Sequence, residues 1–175
     1  MWVYMIEVEV KAVSNQEAKK KIKQEGKFLR TENQEDIYLN HPVKDFAKTD
    51  EALRLRKIDG KTFITYKGPK LEEKTKSRKE IEEKIEDFEK SLEIFKSLGF
   101  REAGSVKKKR QIYELNGYKV SIDKVEGLGE FIEAEKEIKE VDQEIIENAI
   151  DFLTDLGIDQ RDFERRSYLE LILNE

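Results

Sequence analysis

Residues 3–11 alternate between apolar and charged positions. Tyr4, Ile6, Val8 and Val10 share one face of an extended strand, and Glu7, Glu9 and Lys11 share the other. Ser14 followed by Glu17 reads as a capping box opening a helix that stops at Gly26. A polar stretch at 31–36 leads into Ile37-Tyr38-Leu39, and Asn40-His41-Pro42 breaks the chain because the residue before proline disfavours helix. Leu53-Arg54-Leu55-Arg56 alternates again, and Asp59-Gly60 turns it into a second strand at 61–67 that Gly68-Pro69 closes. After a lysine-rich connection Arg78, Glu80 and Glu82 alternate briefly. A helix is expected next, with Ile81, Ile85, Phe88, Leu92, Phe95 and Leu98 spaced by threes and fours up to Gly99.

The second half follows the same plan. Residues 106–115 and 118–125 flank Asn116-Gly117, a favoured hairpin turn. Gly127-Leu128-Gly129 precedes a strand at 131–138. A helix is expected over 142–156, with Ile145, Ile146, Ala149, Ile150, Leu153 and Leu156 on its apolar face and Gly157 at its end. The tail at 162–173 reads as a short helix, though its alternation also suits a strand. No linker interrupts residues 1–175, so a single domain is expected.

Composition narrows the function. Of 175 residues 42% are charged, against roughly a quarter in an average globular protein. Lys+Arg 34 against Asp+Glu 39 gives −5, which argues against dedicated DNA binding. The absence of cysteine excludes disulfides and thiol chemistry, and a lone His41 excludes a multi-histidine zinc site. No apolar run is long enough for a membrane span, and Glu7 arrives too early for a signal peptide, so a cytoplasmic protein is expected. The Lys/Glu bias is that of thermophile surfaces laced with ion pairs.

The charges are not scattered, however. Glu7, Glu9 and Lys11 share a strand face, as do Arg54 with Arg56, Thr65 with Lys67, Lys108 with Arg110, Ser121 with Asp123, and Glu133 with Glu135. The opposite faces are largely apolar. Such strands can curl into an α+β fold, an antiparallel β-barrel with a polar lumen and helices packed outside. Lysine and arginine in a lumen suit phosphate oxygens, and clustered carboxylates suit Mg²⁺ or Mn²⁺. Together they point to a phosphate-rich substrate carrying metal. Taken singly, each pair is an ordinary solvated sheet face. There is no Walker loop, and Gly127-Leu128-Gly129 is too little for a dinucleotide fingerprint.

These residues resemble the CYTH family, the triphosphate tunnel metalloenzymes. The resemblance is carried by Glu7-Val-Glu9-Val-Lys11, Leu53-Arg54-Leu55-Arg56, Thr65-Tyr66-Lys67-Gly68-Pro69, Ser77-Arg78-Lys79-Glu80-Ile81-Glu82 and Lys108-x-Arg110. The segment at 122–135 and Ser167-Tyr168-Leu169-Glu170-Leu171 complete it, so it covers nearly the whole chain. Gln34, Asp36, Tyr38, His41-Pro42 and Asp50 are most similar to the class IV adenylyl cyclase branch, including its archaeal and thermophile members.

The resemblance implies a tunnel barrel, often dimeric, with homodimer formation an open option. It implies Glu7, Glu9, Asp123 and Glu133 as metal ligands, with Glu135 a further candidate. It implies Lys11, Arg54, Arg56, Lys67, Arg78, Lys108 and Arg110 as the triphosphate clamp, Glu80 and Glu82 as further lumen residues, and Arg165 or Arg166 at one mouth. Lys11 is also the candidate proton acceptor. The expected reaction is conversion of ATP to cyclic AMP and pyrophosphate. Hydrolysis of inorganic, thiamine or nucleoside triphosphate is the alternative, and a non-catalytic polyphosphate or RNA 5′-triphosphate binder comes third.

Overall fold

A computed structural model describes residues 6–71, 78–138 and 143–174. The first residues of the opening strand, including Tyr4, and the expected start of the last long helix at Asp142 lie outside them. The chain runs β1 (Ile6–Val13), α1 (Gln16–Glu25), β2 (Lys27–Asn40), α2 (Phe46–Thr49), β3 (Ala52–Ile58), β4 (Lys61–Lys70) and β5 (Arg78–Ile85). It continues with α3 (Phe88–Ser97), β6 (Arg101–Leu115), β7 (Tyr118–Val125), β8 (Gly129–Ile138), α4 (Gln143–Asp155), a 3₁₀ turn (Gln160–Asp162) and α5 (Tyr168–Leu173). The strands close an antiparallel barrel in the order β1-β5-β4-β3-β2-β6-β7-β8, with helices outside, as the alternation predicts.

Local chemistry explains most boundaries. Asp59-Gly60 and Asn116-Gly117 join β3 to β4 and β6 to β7 with positive φ at both turn residues (45° and 84°, 51° and 77°). That twist matches the flanking strands, and Asp, Asn and Gly tolerate it best. Three expectations change. The cap of α1 is Asn15, whose Oδ1 accepts from the Ala18 amide at 2.8 Å, in place of Ser14. The polar stretch at 31–36 is the middle of the 14-residue β2. Its even-numbered residues find partners inside the barrel, so a polar inward face does not break the strand. Finally, α3 starts at Phe88 behind an Asp87 cap, and Ile81 and Ile85 belong to β5. A spacing of four fits both a period of 3.6 and a period of 2, which is why those isoleucines read as helical.

Apolar strand faces point outward and are covered by helices. Val8, Val10, Val120, Ile132 and Ala134 pack with Ala18 and Ile22 of α1 and with Ile146, Ala149 and Leu153 of α4. On the other side Leu39, Leu53 and Leu55 pack with Phe46, Phe88 and Leu92. Each fully buried Leu or Ile contributes about 1.5–3 kcal/mol. At α5 the approach is close: a Cβ on Gly104 of β6 would lie 2.7 Å from Leu169 Cδ1. Among the described residues no helix is long and apolar enough to cross a membrane.

Candidate functional site

Inside the barrel lies a cavity of about 880 Å³. Glu7, Glu9, Arg54, Arg56, Lys67 and Arg78 line it, together with Glu80, Glu82, Lys108, Arg110, Glu133 and Glu135. Strand order sorts these charges into two walls. Neighbouring β8, β1 and β5 bring together Glu133 and Glu135, Glu7 and Glu9, and Glu80 and Glu82, with Glu9 directly opposite Glu135 in the ladder. Across the lumen, β3 supplies Arg54 and Arg56, and β6 supplies Lys108 and Arg110, with β2 between them.

The basic wall is buried, with Arg54 and Arg110 each only 6% exposed. Carboxylates orient its guanidinium groups. Arg56 donates through Nε and Nη2 to the two oxygens of Asp36, both at 2.6 Å. Arg110 donates to Asp123 Oδ1 at 2.7 Å and also to Asp123 Oδ2 and Glu133. Burial works to raise the Asp36 pKa, but the charge and hydrogen bonds of Arg56 outweigh it and hold the group at about 2. Burial and the Arg110 charge push the Lys108 ammonium down to about 8 against the pull of Asp123, 3.3 Å away. Arg54 differs. Its Nη2 donates to the Thr65 hydroxyl at 3.1 Å, and its buried Nε has no hydrogen-bond partner among the described residues. Gln34 Oε1 is likewise buried and unsatisfied, and Gln34 lines the same cavity. Such orphaned groups cost free energy unless something enters to pair with them.

The acidic wall is strained by its own charge. Burial, then repulsion from Glu135, Glu80 and Glu9, pushes the Glu7 carboxyl up to about 8 although Lys67 pulls it down. Lys67 pairs with Glu80, and Lys119 with Glu135. Arg78 reaches Asp50 Oδ1 at 3.5 Å. Among the described residues no group of three or more carboxylates is gathered as a ready-made metal cage. An all-oxygen wall whose repulsion favours an extra positive charge nonetheless fits Mg²⁺ or Mn²⁺. Mg²⁺ is commonly held by one or two carboxylates plus substrate phosphates.

Two expected residues stand behind the cavity surface, Lys11 at 2% and Asp123 at 0% exposure. The Lys11 side chain donates to the Arg166 carbonyl, which turns it towards the C-terminal segment. Tyr168, which lines the cavity, donates its hydroxyl to Asp123 Oδ2 at 2.9 Å. Sequence reasoning missed Glu32, Gln34 and Tyr168 as lumen residues and Asp36 as the partner that orients Arg56. The shared parity of 32, 34, 36 and 38 was the available signal for β2, but polar residues on its other face concealed it. Tyr168 belongs to the six-residue α5, too short a helix for its period to reveal which side chains reach the cavity.

The CYTH domain family matches residues 5–168. The chain belongs to the CYTH family. This CYTH chain is 46% identical over 172 residues to "Putative adenylate cyclase MJ0240" of Methanocaldococcus jannaschii, covering 95% of the chain and 98% of that protein. The solved structure of the PH1819 protein from Pyrococcus horikoshii is similar at a TM-score of 0.90 and 47% identity, over 96% of this chain and 98% of that one. HpAC1 from Hippeastrum, described as a putative adenylyl cyclase with a dominant triphosphatase activity, shares the CYTH fold at a TM-score of 0.69 and 21% identity, over 97% and 95% of the two chains.

Proposed function

We propose that this CYTH protein is a divalent-metal-dependent enzyme acting on a triphosphate, and that its reaction is adenylyl cyclisation, ATP to cyclic AMP and pyrophosphate. The observation that carries the reading is the two-walled lumen, in which carboxylate-oriented guanidinium groups face an acidic wall that favours a cation. The relative named as an adenylate cyclase at 46% identity supports it. So does the lining where β2 ends and β3 begins: Tyr38, Phe46, Leu53, Ala103 and Leu169 make an apolar surface that suits a base and that inorganic triphosphate does not need.

In this reading Arg54, Arg56, Lys108 and Arg110 bind the phosphate oxygens, with the unpaired Arg54 Nε offering a donor already desolvated. Glu7, Glu9, Glu133 and Glu135 are the residues to hold Mg²⁺ or Mn²⁺, which when bound supplies Lewis-acid charge and acidifies a hydroxyl. The ribose 3′-hydroxyl loses its proton to solvent and attacks the α-phosphorus in line, the bond from the α-phosphorus to the bridging oxygen breaks, and pyrophosphate leaves with that oxygen, its charge met by the basic wall. Lys11 is assigned to holding charge and structure, and no side chain is assigned as base. The clamp itself serves a triphosphatase equally well, since both substrates present three phosphates.

The test incubates the purified protein and Mg²⁺ or Mn²⁺ with ATP, tripolyphosphate or thiamine triphosphate and resolves cyclic AMP from orthophosphate. Cyclic AMP with equimolar pyrophosphate is expected. Orthophosphate without cyclic AMP overturns the cyclase in favour of a triphosphatase. No turnover, with no thermal shift on adding tripolyphosphate and Mg²⁺, overturns the triphosphate reading.

A further inference from the structure

Residues 163–170 form a structure of their own against the barrel. Phe163 bridges to Ala12, and the Glu164 amide donates to the Lys11 carbonyl at 2.8 Å, so the segment lies along β1. The Lys11 side chain closes the loop by donating to the Arg166 carbonyl. Ser167 and Glu170 then form a capping box that starts α5 at Tyr168. Leu169 packs closely over Gly104 of β6, where a Cβ would lie 2.7 Å from its Cδ1.

The result is a tyrosine 6% exposed, in a place where the Lys108 ammonium of the clamp meets that of Lys11 behind it. Lys11 Nζ lies 4.1 Å and Lys108 Nζ 4.7 Å from the Tyr168 ring centroid, and the hydroxyl is fixed on Asp123. Like charges brought this close out of water repel, and the negative face of an aromatic ring is one of the few neutral groups that offsets that repulsion. An ordinary core tyrosine packs on apolar groups. Tyr168 does so with Tyr38, Val106, Val125 and Phe131, but that packing alone does not call for two lysines at its ring.

We propose that Tyr168 is a positioning residue of the triphosphate site: its ring holds Lys11 and Lys108 together and ties their placement to the docking of α5. The inference rests on the triphosphate reading above. If the ring sets the lysines, the affinity for triphosphate depends on the docked segment. By reciprocity triphosphate also tightens that segment by the same factor. The ring carries the effect, and the hydroxyl serves mainly to fix its angle.

The test uses the full chain and inorganic tripolyphosphate as probe, with affinity from titration calorimetry and backbone hydrogen exchange read over 164–171. Tyr168→Phe keeps the ring and is expected to bind within about twofold of the unaltered protein. Tyr168→Leu is expected to bind about tenfold more weakly, with the KM for ATP raised in proportion and kcat little changed. Gly104→Val, which forces Leu169 away without touching either lysine, is expected to reproduce that loss, and it stands in if Tyr168→Leu does not fold. Tripolyphosphate is expected to slow exchange over 164–171 in the unaltered protein and in Tyr168→Phe only. Unchanged affinity in folded Tyr168→Leu or Gly104→Val, or equal losses in Phe and Leu, overturns the positioning role while leaving the triphosphate reading intact. Failure of the unaltered protein to bind tripolyphosphate overturns both.

Discussion

The two walls of the lumen solve opposite problems. On the basic wall Asp36 and Asp123 cancel part of the positive charge and fix two guanidinium groups, leaving Arg54 Nε and Gln34 Oε1 without a hydrogen-bond partner among the described residues. On the acidic wall carboxylates face carboxylates across the β1–β8 ladder, and Glu7 keeps its proton to about pH 8. The difference teaches how a net-acidic protein can hold an anion. The basic groups are oriented and desolvated, while the acids, although Lys67, Arg110 and Lys119 pair with three of them, still repel one another enough to raise the Glu7 carboxyl.

The sharpest way to break this comparison is to remove cations from the basic wall. Arg110→Ala strands buried Asp123 and Glu133, and the expected loss in urea unfolding is about 3–5 kcal/mol. Arg54 leans on a hydroxyl and on Glu82 at 3.6 Å, so Arg54→Ala is expected to cost only about 1 kcal/mol of stability while weakening tripolyphosphate binding about tenfold. Equal stability losses in the two variants remove the claim that carboxylates preorganise the wall.

On the acidic wall Glu9→Gln keeps shape and drops charge. It is expected to lower metal-dependent turnover about 100-fold, or about 2.7 kcal/mol, with thermal midpoint nearly unchanged. Full activity in this variant sinks the metal assignment. A gentler probe is pH. The folded pKa of Glu7, about 8, stands above its ordinary 4.5. Its proton-linked stability is therefore fully present below pH 4.5 and is lost as pH rises through 8. Glu7→Gln is expected to melt higher than the unaltered protein above pH 8 and to lose that advantage towards pH 5. Identical pH profiles remove the strain argument. Smallest of all, tripolyphosphate affinity is expected to decline as pH rises past about 8, where Lys108 loses its charge. A flat titration takes Lys108 off the clamp.

How far these walls were legible follows from period and parity. Glu7, Arg54, Lys67 and Glu133 sit on strands with one apolar face, so alternation exposed them. Asp36 sits on a strand polar on both faces, and its role in orienting Arg56 exists only because β2 lies beside β3. Ile81 and Ile85 misled because their spacing satisfies two periods at once. Tyr168 belongs to a short helix that packs on Gly104 through Leu169, 65 positions further along the chain.

By itself, then, the chain of apolar and charged positions determined six of the barrel's strands, two hairpin turns and the residue types of the lumen, because side-chain direction follows backbone period locally. Closure of the barrel decided the rest. Only a ladder joining β8, β1 and β5 gathers acids distant in sequence into one wall, and only a closed, water-poor interior makes Glu7 hold a proton and Lys108 yield one. Those are effects of neighbours and dielectric, which no local pattern encodes.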